Sequence, residues 1–66
     1  MRTEYTIVTT FPNGKKQYDE YAKKYADLAE QKAKNCAEFY KDKNTKVEFF
    51  KVMWNGSSFY KAEKIW

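Results

Sequence analysis

The sequence predicts an α+β fold in the order β-α-β-β: a three-stranded antiparallel sheet with one long helix packed on one face. Three patterns predict it. Residues near both ends alternate in polarity with a period of two, the middle of the chain repeats with a period of 3.6, and Asn-Gly pairs at 13–14 and 55–56 interrupt the apolar runs. All 66 residues read as one domain, with no linker, internal repeat or low-complexity segment.

The first strand is expected at about 3–11. Tyr5, Ile7, Thr9 and Phe11 alternate with Glu4, Thr6, Val8 and Thr10, and the stretch is dense in the β-branched and aromatic residues that suit a pleated surface. Pro12-Asn13-Gly14 stops it, because proline has no N–H for a ladder and Asn-Gly accepts positive φ.

A helix is expected at about 16–42. On a 100° wheel, Tyr18, Tyr21, Tyr25, Leu28, Cys36, Phe39 and Tyr40 fall on one half with a row of alanines, Ala22, Ala26, Ala29, Ala33 and Ala37. The other half is charged, and Glu20–Lys24 and Glu30–Lys34 are favourable i,i+4 pairs. Such a helix would span roughly 40 Å, enough to cross a sheet of nine- or ten-residue strands. The small alanine row lets it approach closely, with Phe50, Trp54 and Trp66 expected to fill the gap. Lys43-Asn44 ends the helix, with Asn44 in the left-handed region.

Strands at about 45–54 and 58–66 are expected to form a hairpin around Asn55-Gly56-Ser57. A three-residue loop places Glu48 opposite Lys64, Phe50 opposite Ala62, Val52 opposite Tyr60 and Met53 opposite Phe59. A shorter loop would set Glu48 against Glu63, a repulsive pair. The first strand is expected to join beside the last strand, which keeps every pairing antiparallel.

So short a chain needs help to hold a core. Cys36 is its only cysteine, so no intrachain disulfide forms, and a lone thiol fits a reducing, cytoplasmic setting. Histidine is absent, so a structural zinc site has no ligand set. No metal or other cofactor is expected. Aromatic mass is what remains: 20% of the residues are Phe, Tyr or Trp, which argues for a folded chain despite 33% charged residues and a mean hydropathy of -0.98. No run of apolar residues is long enough to span a bilayer, and residues 1–5 lack the apolar core of a signal peptide. A soluble protein with no membrane partner is expected.

Catalytic readings find little support. The chain has no phosphate-cradling glycine loop, no Ser-His-Asp set and no histidine to move protons, and its carboxylates fall mostly on the expected solvent face of the helix. Cys36 has no neighbouring base in the pattern and reads as a small buried hydrophobe. The chain is therefore expected not to be an enzyme.

The informative feature is surplus apolar surface. In the expected register one hairpin face carries Phe50, Val52, Trp54, Tyr60, Ala62 and Trp66, and the other carries Val47, Phe49, Met53, Phe59 and Ile65 among Lys51, Lys61 and Glu63. One helix covers one face only. The uncovered face is expected to be the partner-binding surface, formed by Phe49, Lys51, Met53, Phe59, Lys61 and Ile65. The expected partner is a protein or nucleoprotein complex. Two alternatives use the same surplus: non-sequence-specific nucleic-acid binding, favoured by the +4 charge and by lysines beside aromatics, and a homodimer. Arg2 is the sole arginine, which disfavours base-specific readout.

In layout, a tiny, lysine- and aromatic-rich, histidine-free chain ending in Met53-Trp54-Asn55-Gly56 … Ile65-Trp66 resembles the small bacteriophage-encoded inhibitors of host defence, such as anti-CRISPR proteins. The resemblance implies stoichiometric binding to a host effector complex, at its nucleic-acid channel or at a surface that moves.

Overall fold

The alternation at the start of the chain forms β1 (Arg2–Thr10) in a computed structural model that describes residues 1–66. Phe11-Pro12-Asn13-Gly14 does more than end this strand. It turns the chain back on itself: the Gly14 N–H donates to the Phe11 carbonyl at 2.9 Å, the Phe11 N–H donates to the Lys15 carbonyl at 2.8 Å, and Asn13 Oδ1 accepts from the Lys15 N–H at 3.0 Å. Gly14 sits at φ +86°, a conformation that a Cβ would strain. The result is a hairpin to β2 (Lys16–Ala22), paired with β1 from Thr10↔Lys16 to Glu4↔Ala22.

This fourth strand corrects the sequence expectation of a helix from 16 to 42. Tyr18, Tyr21, Ala22 and Tyr25 fit a helical period, but β1 would then lose its hydrogen-bonding neighbour on that side. Pairing satisfies those backbone groups, and tyrosine suits a strand as well as a helix. A 3-10 turn (Lys23–Tyr25) follows, and α1 (Ala26–Tyr40) is a 15-residue helix with no side-chain N-cap. The end of the helical segment matches expectation. Lys43 N–H donates to the Tyr40 carbonyl at 3.0 Å, and Asn44 adopts φ +51°.

β3 (Lys46–Asn55) and β4 (Ser58–Lys64) form the second hairpin. The four strands make one antiparallel sheet in the order β2-β1-β3-β4. β1 thus joins the hairpin beside its first strand, not beside its last as expected. The hairpin register also differs. Gly56-Ser57 is a two-residue loop closed by Asn55↔Ser58, with Gly56 at φ +66°, and an irregularity at Met53/Trp54 shifts the pairing so that Phe50 lies opposite Lys64. Glu48 still reaches Lys64, now along the diagonal, at 3.2 Å.

Cross-strand partners share a face, so the register sorts every side chain. The helix covers the face of Tyr5, Ile7, Thr9, Tyr21, Val47 and Phe49. Ile7, Ala29, Ala33 and Phe49 form the core cluster, with Tyr5, Tyr21 and Val47 packed around it. The Tyr5 and Phe49 rings stack at 5.7 Å, and Trp66 folds in at 5.8 Å from Phe49. The alanine row works as expected in its middle: Ala29 and Ala33 are fully buried, whereas Ala22 lies on β2. The groups facing those alanines are Ile7 and Phe49. Phe50 and Trp54 point to the other side of the sheet, and of the three rings expected to fill the gap only Trp66 comes near. Cys36 is half-buried on the helix.

Candidate functional site

The site residues expected from sequence do not share one surface. Phe49 is the largest buried side chain of the core, 2% exposed, because an odd position on β3 faces the helix once β1 is its neighbour. Lys51 and Met53 share that face and are half-buried near the hairpin end. Lys61 lies opposite Met53 on the same side and pairs with Glu63 at 3.1 Å. Ile65 is 44% exposed and donates its backbone N–H to the Phe49 carbonyl. Phe59 alone moves to the other face. An extra residue on β4, Tyr60, separates the pair Trp54↔Phe59 from the pair Met53↔Lys61, and such a bulge re-aims the side chains beyond it.

The face without the helix is therefore built from the even positions of β1, β2 and β3. Five rows cross it: Arg2–Trp54–Phe59, then Ala22–Glu4–Val52–Ala62, Glu20–Thr6–Phe50–Lys64, Tyr18–Val8–Glu48, and Lys16–Thr10–Lys46. No second layer lies over these rows, yet Thr6 and Val8 are buried on the central strand, between the larger cross-strand neighbours Tyr18, Phe50 and Glu48. Those neighbours carry the exposure instead. Tyr18 and Phe59 are each 60% exposed at opposite edges of the sheet. Phe50, Val52 and Trp54 are half-buried between them.

One end of the face is an aromatic cluster. Trp54 and Phe59 meet edge to face at 5.9 Å, and the Arg2 guanidinium lies 5.6 Å from the Trp54 ring while approaching Glu4 at 3.9 Å. The indole N–H of Trp54 is buried with no partner. Leaving such a donor unmade costs on the order of 1–3 kcal/mol.

The other half of the face is ionic. The Glu48 carboxylate accepts from Lys64 at 3.2 Å and lies 3.7 Å from Lys46. The Lys64 hydrogen bond, foremost, and the charges of Lys46, Lys64 and Lys16 hold its pKa below the usual glutamate value against an opposing effect of burial. Counted across the face, Arg2, Lys16, Lys46 and Lys64 meet Glu4, Glu20 and Glu48. The face is close to charge-balanced.

Elsewhere the surface has no cleft, and no three Cys, His, Asp or Glu side chains converge as a metal-binding group. No helix is long and apolar enough to cross a membrane. Comparison of the chain with protein-family models, with curated proteins and with solved structures finds no significant match.

Sequence reasoning missed Tyr18, Phe50 and Trp54 as members of the open face. The signal that could have found Tyr18 was Asn13-Gly14 itself, a hairpin turn signal standing between the strand of residues 3–11 and a segment, Lys16 to Ala22, with two tyrosines and no proline or glycine.

Proposed function

We propose that this chain acts by stoichiometric, non-catalytic docking onto a protein, and that the open face of the sheet is its contact surface. The observation that carries this reading is the set of large side chains left without a covering layer: Phe50, Val52 and Trp54 along β3, Phe59 beside Trp54, and Tyr18 across the sheet on β2. Soluble monomers rarely leave a contiguous apolar surface of this kind unoccupied, and aromatic residues with arginine are enriched where proteins meet. The near balance of charge around the rings suits a mixed-charge protein surface better than a polyanion. Docking of this sort is also how the small phage-encoded inhibitors, which the chain resembles in layout, would act on a host effector complex.

The test uses residues at the two edges of the face. Tyr18→Ser and Phe59→Ser should each abolish capture of a binding protein from extract while leaving the thermal melt, measured at high dilution, within a few degrees of the parent chain. Capture that persists at parental level in both variants would remove the open face as the contact surface.

A further inference from the structure

We infer that the open face is closed by a second copy of this chain, packed sheet against sheet into a helix–sheet–sheet–helix sandwich. The inference rests on the docking reading above and names the protein that docks. Its first support is the pattern of the middle row, Glu20–Thr6–Phe50–Lys64, which crosses all four strands through direct pairs. A two-fold axis parallel to the strands, lying between β1 and β3, sets β2 over β4 of the second copy and β1 over β3 of the second copy. At the roughly 10 Å spacing of packed sheets, Glu20 then meets Lys64 of the second copy, and Thr6 meets Phe50 of the second copy. Each contact occurs twice. Opposite charges face each other at the edges, and small faces large in the centre. The row is the middle one of the five, where the twist between two packed sheets displaces partners least.

The second support is size. The molecule measures 38 × 24 × 15 Å, so its broad face projects to about 900 Å², a size that accommodates the ~800 Å² per partner of an ordinary stable interface. The third is the thin core. Only seven residues are buried, Cys36 is the single cysteine, and for so small a chain lacking a disulfide or metal, oligomerisation is the usual remaining support. Edge pairing is less well served than face packing. β4 is bulged at Tyr60, and Ile65 and Trp66 both donate to the Phe49 carbonyl at its far end, while β2 carries the charged residues Lys16, Asp19 and Glu20, all devices that blunt an edge. A nucleic acid is less well served too, because Glu4, Glu20 and Glu48 stand among the four cations of this face and would repel phosphates.

The experiment is solution mass by light scattering with size exclusion, on the parent chain, Glu20→Lys, Lys64→Glu and an equimolar mixture of the two variants. Folding of each is checked by circular dichroism. The parent is expected at about 16 kDa, twice the chain mass of 8.0 kDa. Each single variant places like charges together twice and should weaken the dimer roughly a hundredfold, and the mixture should return to about 16 kDa because both contacts become opposite again. Should one variant fail to fold, Glu20→Gln and Lys64→Gln remove the attraction without repulsion and should weaken the dimer by a smaller factor. A parent that stays at 8.0 kDa up to about 500 µM overturns the inference. A dimer indifferent to all these changes overturns it as well, since the contact then lies elsewhere. So does a monomeric parent that binds a fluorescein-labelled single-stranded oligonucleotide with steep salt dependence and loses that binding in Phe59→Ser. A monomeric parent whose protein capture is still abolished by Phe59→Ser sinks this inference and leaves the docking reading intact; if capture is unchanged too, both fall.

Discussion

Phe49 and Phe50 are neighbours in sequence and lie on opposite sides of one sheet, and the contrast between them is the contrast between stability and contact. Phe49 is 2% exposed, stacked on Tyr5, beside Trp66 and under the two buried alanines of the helix. Phe50 is half-buried in a face that has no covering layer. The chain puts one ring into its own core and leaves the next for something else. Only the pleat separates these outcomes, since successive side chains of a strand point to opposite faces.

The largest expected effect lies on the helix side. Phe49→Ala should lose about 3–5 kcal/mol of stability, as large-to-small changes in a core do, and in so small a protein that should show as a collapsed chemical-denaturation midpoint. An unchanged midpoint would mean that the helix does not seal this face. Next comes Ala33→Leu, which forces a branched side chain against Ile7 and Phe49 where there is no room; overpacking of this sort costs about 1–3 kcal/mol, read from the same denaturation curve. A neutral result would place the helix farther from the sheet than described.

On the open face the expected effects on stability shrink. Glu48 is the exception that carries a pH dependence. Its carboxyl is held below the ordinary glutamate value, so the ionised form contributes stability above the unfolded-state pKa of about 4.3, and that contribution is lost as pH falls through the lower folded-state value. Glu48→Gln should flatten the acid limb of the pH–stability curve and leave the shape above about pH 6 unchanged. An acid limb identical to the parent's would show that Lys64 and Lys46 do not hold the carboxylate. The smallest effects belong to Tyr18→Ser and Phe59→Ser, each within about 0.5 kcal/mol of the parent in denaturant melts run dilute enough to keep the chain monomeric. A loss of several times that from either would put the ring in a core and erase the difference between the faces.

How far the sequence disclosed this arrangement depends on how local each signal is. β1, the end of the helix at Asn44 and the existence of the β3–β4 hairpin follow from neighbouring residues: alternation, a left-handed Asn, and an Asn-Gly turn. The buried Ala29 and Ala33 followed from helical spacing in the same way. β2 was hidden because Tyr18, Tyr21 and Ala22 fit a period of 3.6 better than a period of two, and what overrides that local pattern is distant: the unpaired side of β1. The site was hidden by two features, one bulge and one strand order. Tyr60 bulges out of β4, so Phe59 faces away from the side of Lys61, and β1 pairs with β3 instead of β4, so Phe49 turns inward. Neither the bulge nor the strand order leaves a mark in local composition.

The two tryptophans report on the two faces, Trp54 on the open one and Trp66 beside Phe49. Fluorine NMR of chain labelled with 5-fluorotryptophan, assigned with Trp66→Phe, therefore tests the division most directly. Over a dilution series, the Trp54 resonance should move as the face is covered and uncovered, and the Trp66 resonance should stay in place. Movement of Trp66 with Trp54 still, or no movement of either at any concentration or on addition of a captured protein, would contradict the assignment of the open face as the docking surface.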